Sequence, residues 1–204
     1  VTSINIPDSV TSIGKSAFAN CSELKNLIIG ESVTSIGYCA FSGCSNLSNL
    51  VFGDNITTIG DSAFSGCRLT EIIIPDSVTS IGSSAFRQCE ELTNVKISSG
   101  VIGNEAFYYC KNLTDVEIGS NVSSIGSSAF ENCSNLTNVK ISSGNIGNKA
   151  FSFCKKLTNL EIGNSVTSIG GAAFEYCTSL TEIIIPNSVT SIDSNAFADC
   201  SGLT

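Results

Sequence analysis

The sequence predicts a β-rich solenoid: nine stacked coils forming one domain over residues 1–204, with parallel strands running the length of a curved rod. Three observations carry this prediction. The dipeptide Ala-Phe recurs with Phe18, Phe41, Phe64, Phe86, Phe107, Phe130, Phe151, Phe174 and Phe197, at spacings of 21–23 residues. A cysteine follows each phenylalanine by three residues, from Cys21 to Cys200. Between one such cysteine and the next Ala-Phe lie two short segments, each with apolar residues at regular positions, as in LTEIII and VTSIG. A unit this short cannot bury its apolar face alone, so the copies must stack. At the ~4.8 Å spacing of parallel strands, nine coils make a right-handed rod about 43 Å long.

The units begin at Val1, Leu24, Leu47, Leu69, Leu92, Leu113, Leu136, Leu157 and Leu180, and a tenth starts at Leu203. In the first segment, positions one, four and six are apolar in every copy, which suits a strand with alternate side chains in a core. Position four (Ile4, Leu27, Leu50, Ile72, Val95, Val116, Val139, Leu160, Ile183) forms the expected internal ladder. The second segment adds an apolar pair such as Val78 and Ile81. A glycine follows it in eight copies and Asp193 in the ninth, and the glycine is expected to supply a positive φ. Alanine before each phenylalanine marks a close crossing of neighbouring coils, and the phenylalanine fills the interior. The two 21-residue copies lose residues at 98–101 and 142–145, which trims the turn before the second strand.

Composition narrows the chemistry. With 18 Asp and Glu against 10 Lys and Arg, net charge −8, the chain lacks the clustered cations that nucleic acid demands. Its longest apolar run, Ala106 to Cys110, falls far short of the ~20 residues of a membrane-spanning helix. There is no histidine, so neither a Ser-His-Asp nor a Cys-His arrangement is available, and a zinc site is disfavoured. Nine of the ten cysteines occupy one position per coil. Their Cβ atoms would stand in register about 4.8 Å apart, wider than the roughly 3.5–4.5 Å of a disulfide, so a reduced buried row is expected. Cys39 lies outside that row and is expected to be exposed. Adjacent carboxylates such as Glu90 and Glu91 read as solvated edge charges, and no phosphate-loop spacing occurs. No catalytic, cofactor-binding or metal-binding residues are expected, and the chain reads as a non-enzyme.

The unit LxxIxIPxSVTSIGxxAFxxC resembles the leucine-rich repeat of BspA-like and Treponema-type surface proteins, over the whole chain. That resemblance implies a leucine-rich repeat solenoid, an α/β-type horseshoe or curved rod rich in β-structure. It also implies an extracellular or cell-surface location on a bacterium or protozoan, where relatives are associated with adhesion to host matrix proteins and other cells. It supplies no catalytic residues.

Recognition is expected on the concave face of the first strands, where position five reads Asn5, Ile28, Val51, Ile73, Lys96, Glu117, Lys140, Glu161 and Ile184. Ile28, Val51 and Ile73 form an apolar strip on consecutive coils. The alternating Lys96, Glu117, Lys140 and Glu161 can pair across parallel neighbours, and Ile184 closes the row. The expected partners are a host or matrix protein, a glycan, or further copies stacked end to end as a filament, since the chain starts and stops within its repeat without visible caps. Seven sequons, at Asn20, Asn46, Asn55, Asn112, Asn121, Asn132 and Asn135, are candidate glycosylation sites in a secreted eukaryotic setting.

Overall fold

The computed structural model describes residues 1–203; Thr204, second residue of the expected tenth unit, lies outside them. Fourteen strands follow in order: β1 (Ser3–Ile6), β2 (Ser12–Ile13), β3 (Asn26–Ile29), β4 (Ser35–Ile36), β5 (Asn49–Val51), β6 (Thr58–Ile59), β7 (Ser80–Ile81), β8 (Asn94–Ile102), β9 (Asp115–Ile125), β10 (Asn138–Ser143), β11 (Asn145–Ile146), β12 (Asn159–Ser165), β13 (Ser168–Ile169) and β14 (Ser191–Ile192). All pairings are parallel and join equivalent residues of neighbouring coils, such as Leu27 with Leu50 and Ile36 with Ile59. The second segment of each coil gives a continuous sheet, β2-β4-β6-β7-β8-β9-β11-β13-β14. The first segments give a first sheet in two parts, β1-β3-β5 and the leading halves of β8, β9, β10 and β12. No helix occurs among the described residues. The two sheets are the solenoid's first and second sides, and turns make the third.

Alternation sets the faces. In β3 the side chains of Leu27 and Ile29 are buried while Asn26 and Ile28 face outward, and Val33 and Ile36 turn inward on the second side. A single strand runs through both segments in β8, of one short copy, and in β9, of a full-length one, whereas the other short copy is split into β10 and β11 at Gly144. A glycine at the trimmed turn, Gly100 (φ 89°) or Gly144 (φ 95°), adopts the left-handed backbone that the missing residues would otherwise avoid.

The third side is a run of turns with left-handed residues at two positions per coil, such as Ser16 (φ 54°) and Asn20 (φ 59°). The N–H groups of Ser16, Phe18 and Asn20 donate to the carbonyls of Tyr38, Ala40 and Ser42 in the next coil, at 2.8, 2.8 and 2.7 Å. This corrects the expectation for the repeated glycine, which does not have a positive φ. Its role is close approach: a Cβ on Gly37 would sit 2.8 Å from the backbone of Gly14 and Lys15. The strain falls two residues later, on Ser16, Cys39, Ser62 and their equivalents. Cys39, expected to be exposed, is half-buried at this position with φ 52°.

Phenylalanines stack down the interior with centroid spacings of 5.0–5.4 Å and planes within 8° of parallel. Beside them all ten cysteines are free, and each in-row thiol from Cys44 to Cys200 donates to the carbonyl of a phenylalanine one coil back, as Cys133 Sγ does to Phe107 O at 3.3 Å. Burial pushes the Cys89 and Cys133 thiols up to about 12 and that of Cys44 up to about 11, from an ordinary value of 9.0. Folded values above the unfolded one mean that this contribution to stability is complete below about pH 9 and is lost as pH rises toward 12. The urea midpoint is therefore expected to be lower at about pH 10 than at about pH 8. Native alkylation is expected to stop at the half-buried Cys21 and Cys39, with all ten thiols reacting only after unfolding, as mass spectrometry would count.

The first sheet breaks where the sequence repeats LTEIIIP. Residues 69–74 and 180–185 are not strand, although Ile72 and Ile74 stay buried. Before Leu69 the corner is one residue short, with Arg68 alone between Cys67 and Leu69 where Cys44 and Leu47 are separated by two. Length variation therefore also falls at this corner, and not only in the turn before the second strand. No equivalent shortening precedes Leu180.

Candidate functional site: the outer face of the first sheet

Outward residues of the first segments form three rows along the solenoid. At position two, threonine hydroxyls donate to the carbonyl of the preceding coil's threonine: Thr114 to Thr93 at 3.1 Å and Thr137 to Thr114 at 3.0 Å. Position three is an amide row that sequence reasoning missed. Asn138 Nδ2 donates to Asp115 Oδ1 at 2.6 Å, and Asn159 Nδ2 to Asn138 Oδ1 at 2.6 Å. Asn26 Nδ2 likewise reaches Ser3 Oγ at 3.1 Å. The signal was present as Asn at one register of the repeat in five copies, with Ser3 and Asp115 as hydrogen-bonding substitutes and Glu71 and Glu182 in the two coils where the sheet breaks. Replacing Asn138 by Ala removes two of these bonds and is expected to cost about 1 kcal/mol, read as a lower melting temperature.

Position five places every predicted residue outward. Ile28 and Val51 are 46% and 49% exposed, and Ile73 and Ile184, on the unpaired segments, are 86% and 84% exposed. Between them, Lys96 pairs with Glu117 at 3.2 Å and Lys140 with Glu161 at 3.9 Å. The register also sets Lys140 beside Glu117. These pairs are open to water and worth a few tenths of a kcal/mol each. Rows three and five border a shallow groove of about 510 Å³ over the central coils, with Asn94, Asp115, Asn138, Lys96 and Glu117 among its lining. A second hollow of about 350 Å³ lies where β5 parts from residues 71–75, lined by Val51, Phe52 and Ile73 and by the carboxylates of Asp54 and Glu71.

The other candidates lie elsewhere. Five sequon asparagines use their amides structurally: Asn46 donates to Ser22 O, Asn55 to Glu31 O, Asn112 to Glu91, Asn132 to Tyr108 Oη and Asn135 to Asn112. Glu90 and Glu91, the adjacent carboxylates, pair with Lys111 at 3.2 Å and Arg68 at 3.6 Å. Among the described residues, no three His, Cys, Asp or Glu side chains converge as a metal site, and no helix is long and apolar enough to cross a membrane.

Among solved structures, a leucine-rich repeat protein of T. pallidum is similar at 25% identity with a TM-score of 0.63, covering 88% of this chain and 78% of that one. A leucine-rich repeat protein from Bacteroides ovatus is 26% identical with a TM-score of 0.50, covering 100% of this chain and 77% of that one. The pneumococcal vaccine antigen PcpA shares the fold at 23% identity and a TM-score of 0.57; the match covers 99% of this chain but only 60% of PcpA. No curated protein sequence matches it significantly. The model of the BspA type Leucine rich repeat region matches six copies, over residues 1–101 and 89–204. With its stacked phenylalanines, two parallel sheets and 21–23-residue coils, the chain belongs to the BspA-type leucine-rich repeat family.

Proposed function

We propose that this chain is a non-catalytic binding module, working outside the cell or on its surface, that engages a protein or glycan partner through the outer face of its first sheet. The observation that carries this reading is the apolar strip at Ile28, Val51 and Ile73. These are three outward β-branched side chains on consecutive coils, beside an acidic hollow and next to a charged row. Exposed apolar surface rimmed by polar groups is the ordinary form of a partner site. Family membership supports a repeat binding module, and the resemblance to surface proteins supports the location. A reduced cysteine row is compatible with an oxidising exterior, because interior thiols such as Cys89 and Cys133 are buried and held protonated.

The test is binding of the chain to a panel of immobilised matrix proteins and glycans. The double variant Ile28→Lys with Val51→Lys alters two outward positions and is expected to leave the melting temperature within a few degrees. It should weaken the strongest interaction at least tenfold. Unchanged binding by a folded double variant would remove the strip from the recognition surface.

A further inference from the structure

The position-five row has a second property. From coil four to coil nine it reads Ile73, Lys96, Glu117, Lys140, Glu161, Ile184, an order that is complementary to itself when reversed. Turned about a two-fold axis parallel to the strands and passing between Glu117 and Lys140, the row of one copy meets its own reverse in a second copy. Ile73 then faces Ile184, Lys96 faces Glu161, and Glu117 faces Lys140, with each contact made twice. We propose that the outer face of coils four to nine is a self-association surface and that its occupant is a second, antiparallel copy of this chain. An isologous interface requires this kind of self-complementarity.

Several observations converge on that occupant. The parallel pairing keeps the four charged side chains in one line: Lys96 beside Glu117, Glu117 beside Lys140, and Lys140 beside Glu161. The four charges sum to zero, so two such faces attract through alternation without accumulating one sign. Their side chains remain 49–74% accessible, free to meet a partner while keeping their in-chain pairs. The two most exposed isoleucines of the row stand at its two ends, each on a segment released from the sheet.

The amide row follows the same symmetry. Asn94 would face Asn159, two amides that can exchange hydrogen bonds, and Asp115 would face Asn138, whose Nδ2 can donate to the carboxylate. Only Glu71 opposite Glu182 sets like charges together, at the margin. The pairing is therefore expected to be modest in affinity and sensitive to salt. It leaves coils one to three free in each copy, so a dimer would display two Ile28 and Val51 strips at opposite ends. Two linked strips gain from effective concentration on a multivalent partner. The inference concerns the same sheet face as the proposed function but does not use Ile28 or Val51, so the two can fail separately.

Sedimentation-equilibrium mass against concentration tests it with the full chain. A rise from 21.2 kDa toward twice that value is expected, with dissociation favoured by added salt. Ile73→Asp with Ile184→Asp should weaken association at least tenfold, whereas Ile28→Lys with Val51→Lys should leave it unchanged. The fourfold exchange K96E/E117K/K140E/E161K preserves both the in-chain and the cross-copy pairs, so it should self-associate as the parent does. It should not mix with the parent, because like charges would then face each other. A constant mass near 21.2 kDa up to high concentration would overturn the proposal. So would an association indifferent to the isoleucine variant, or free mixing of parent and exchanged chains.

Discussion

Phe107→Ala is expected to lower stability by about 3–5 kcal/mol, as for any of the fully buried rings stacked on both faces. The ring is fully buried and stacks on Phe86 at 5.1 Å and on Phe130 at 5.0 Å, so its loss opens a void shared by three coils. Neighbouring rings cannot close that void, because the backbone bonds from Phe107 N to Ala129 O and from Phe86 N to Ala106 O fix the coil spacing. Phe18, half-buried and stacked on one side only, should cost less when truncated. Urea denaturation of both variants measures the difference, and equal losses would show that stacking on both faces adds nothing.

Gly103→Ala ranks next. A Cβ there would lie 2.5 Å from the Gly82 carbonyl carbon and 2.6 Å from the Ser83 nitrogen, both backbone atoms that cannot rotate aside. Coils four and five would have to part, at a cost of roughly 1–3 kcal/mol or more. Since each coil touches only its neighbours, that opening also weakens the coupling between the two halves of the rod. A shallower urea transition is expected along with the lower midpoint. Gly14→Ala, at the equivalent position of the first coil, meets nothing within 4 Å and should be nearly neutral. A destabilisation of Gly14→Ala equal to that of Gly103→Ala would put the effect in the backbone conformation and not in the close approach.

These two variants also separate what the sequence made legible from what it did not. The phenylalanine and cysteine rows were readable because one side chain recurs at one register, and in a stacked repeat equal register means spatial contact. The outward row at Ile28, Val51 and Ile73 followed from the same alternation. The glycine was seen but its purpose was misassigned: conformational freedom and close approach both exclude a side chain, and only the backbone distances distinguish them. The breaks at residues 69–74 and 180–185 depend on main-chain bonds between coils, to which a side-chain pattern is nearly blind, since Ile72 and Ile74 remain buried either way. The amide row at Asn138 and Asn159 lay in plain view, but outward polar residues carry no periodic signal that separates a hydrogen-bonded ladder from solvation.

The central claim is that the outer face of the first sheet recognises a partner while the second sheet and the turn side serve as scaffold. Hydroxyl-radical footprinting of the chain with the strongest binder found in the panel of proteins and glycans tests this most directly. The account predicts protection of Ile28 and Val51 on binding, with Tyr38 and Tyr176 on the turn side reacting as in the free chain. Protection of Tyr38 and Tyr176 with Ile28 and Val51 unchanged would contradict it and move recognition to the opposite side of the solenoid.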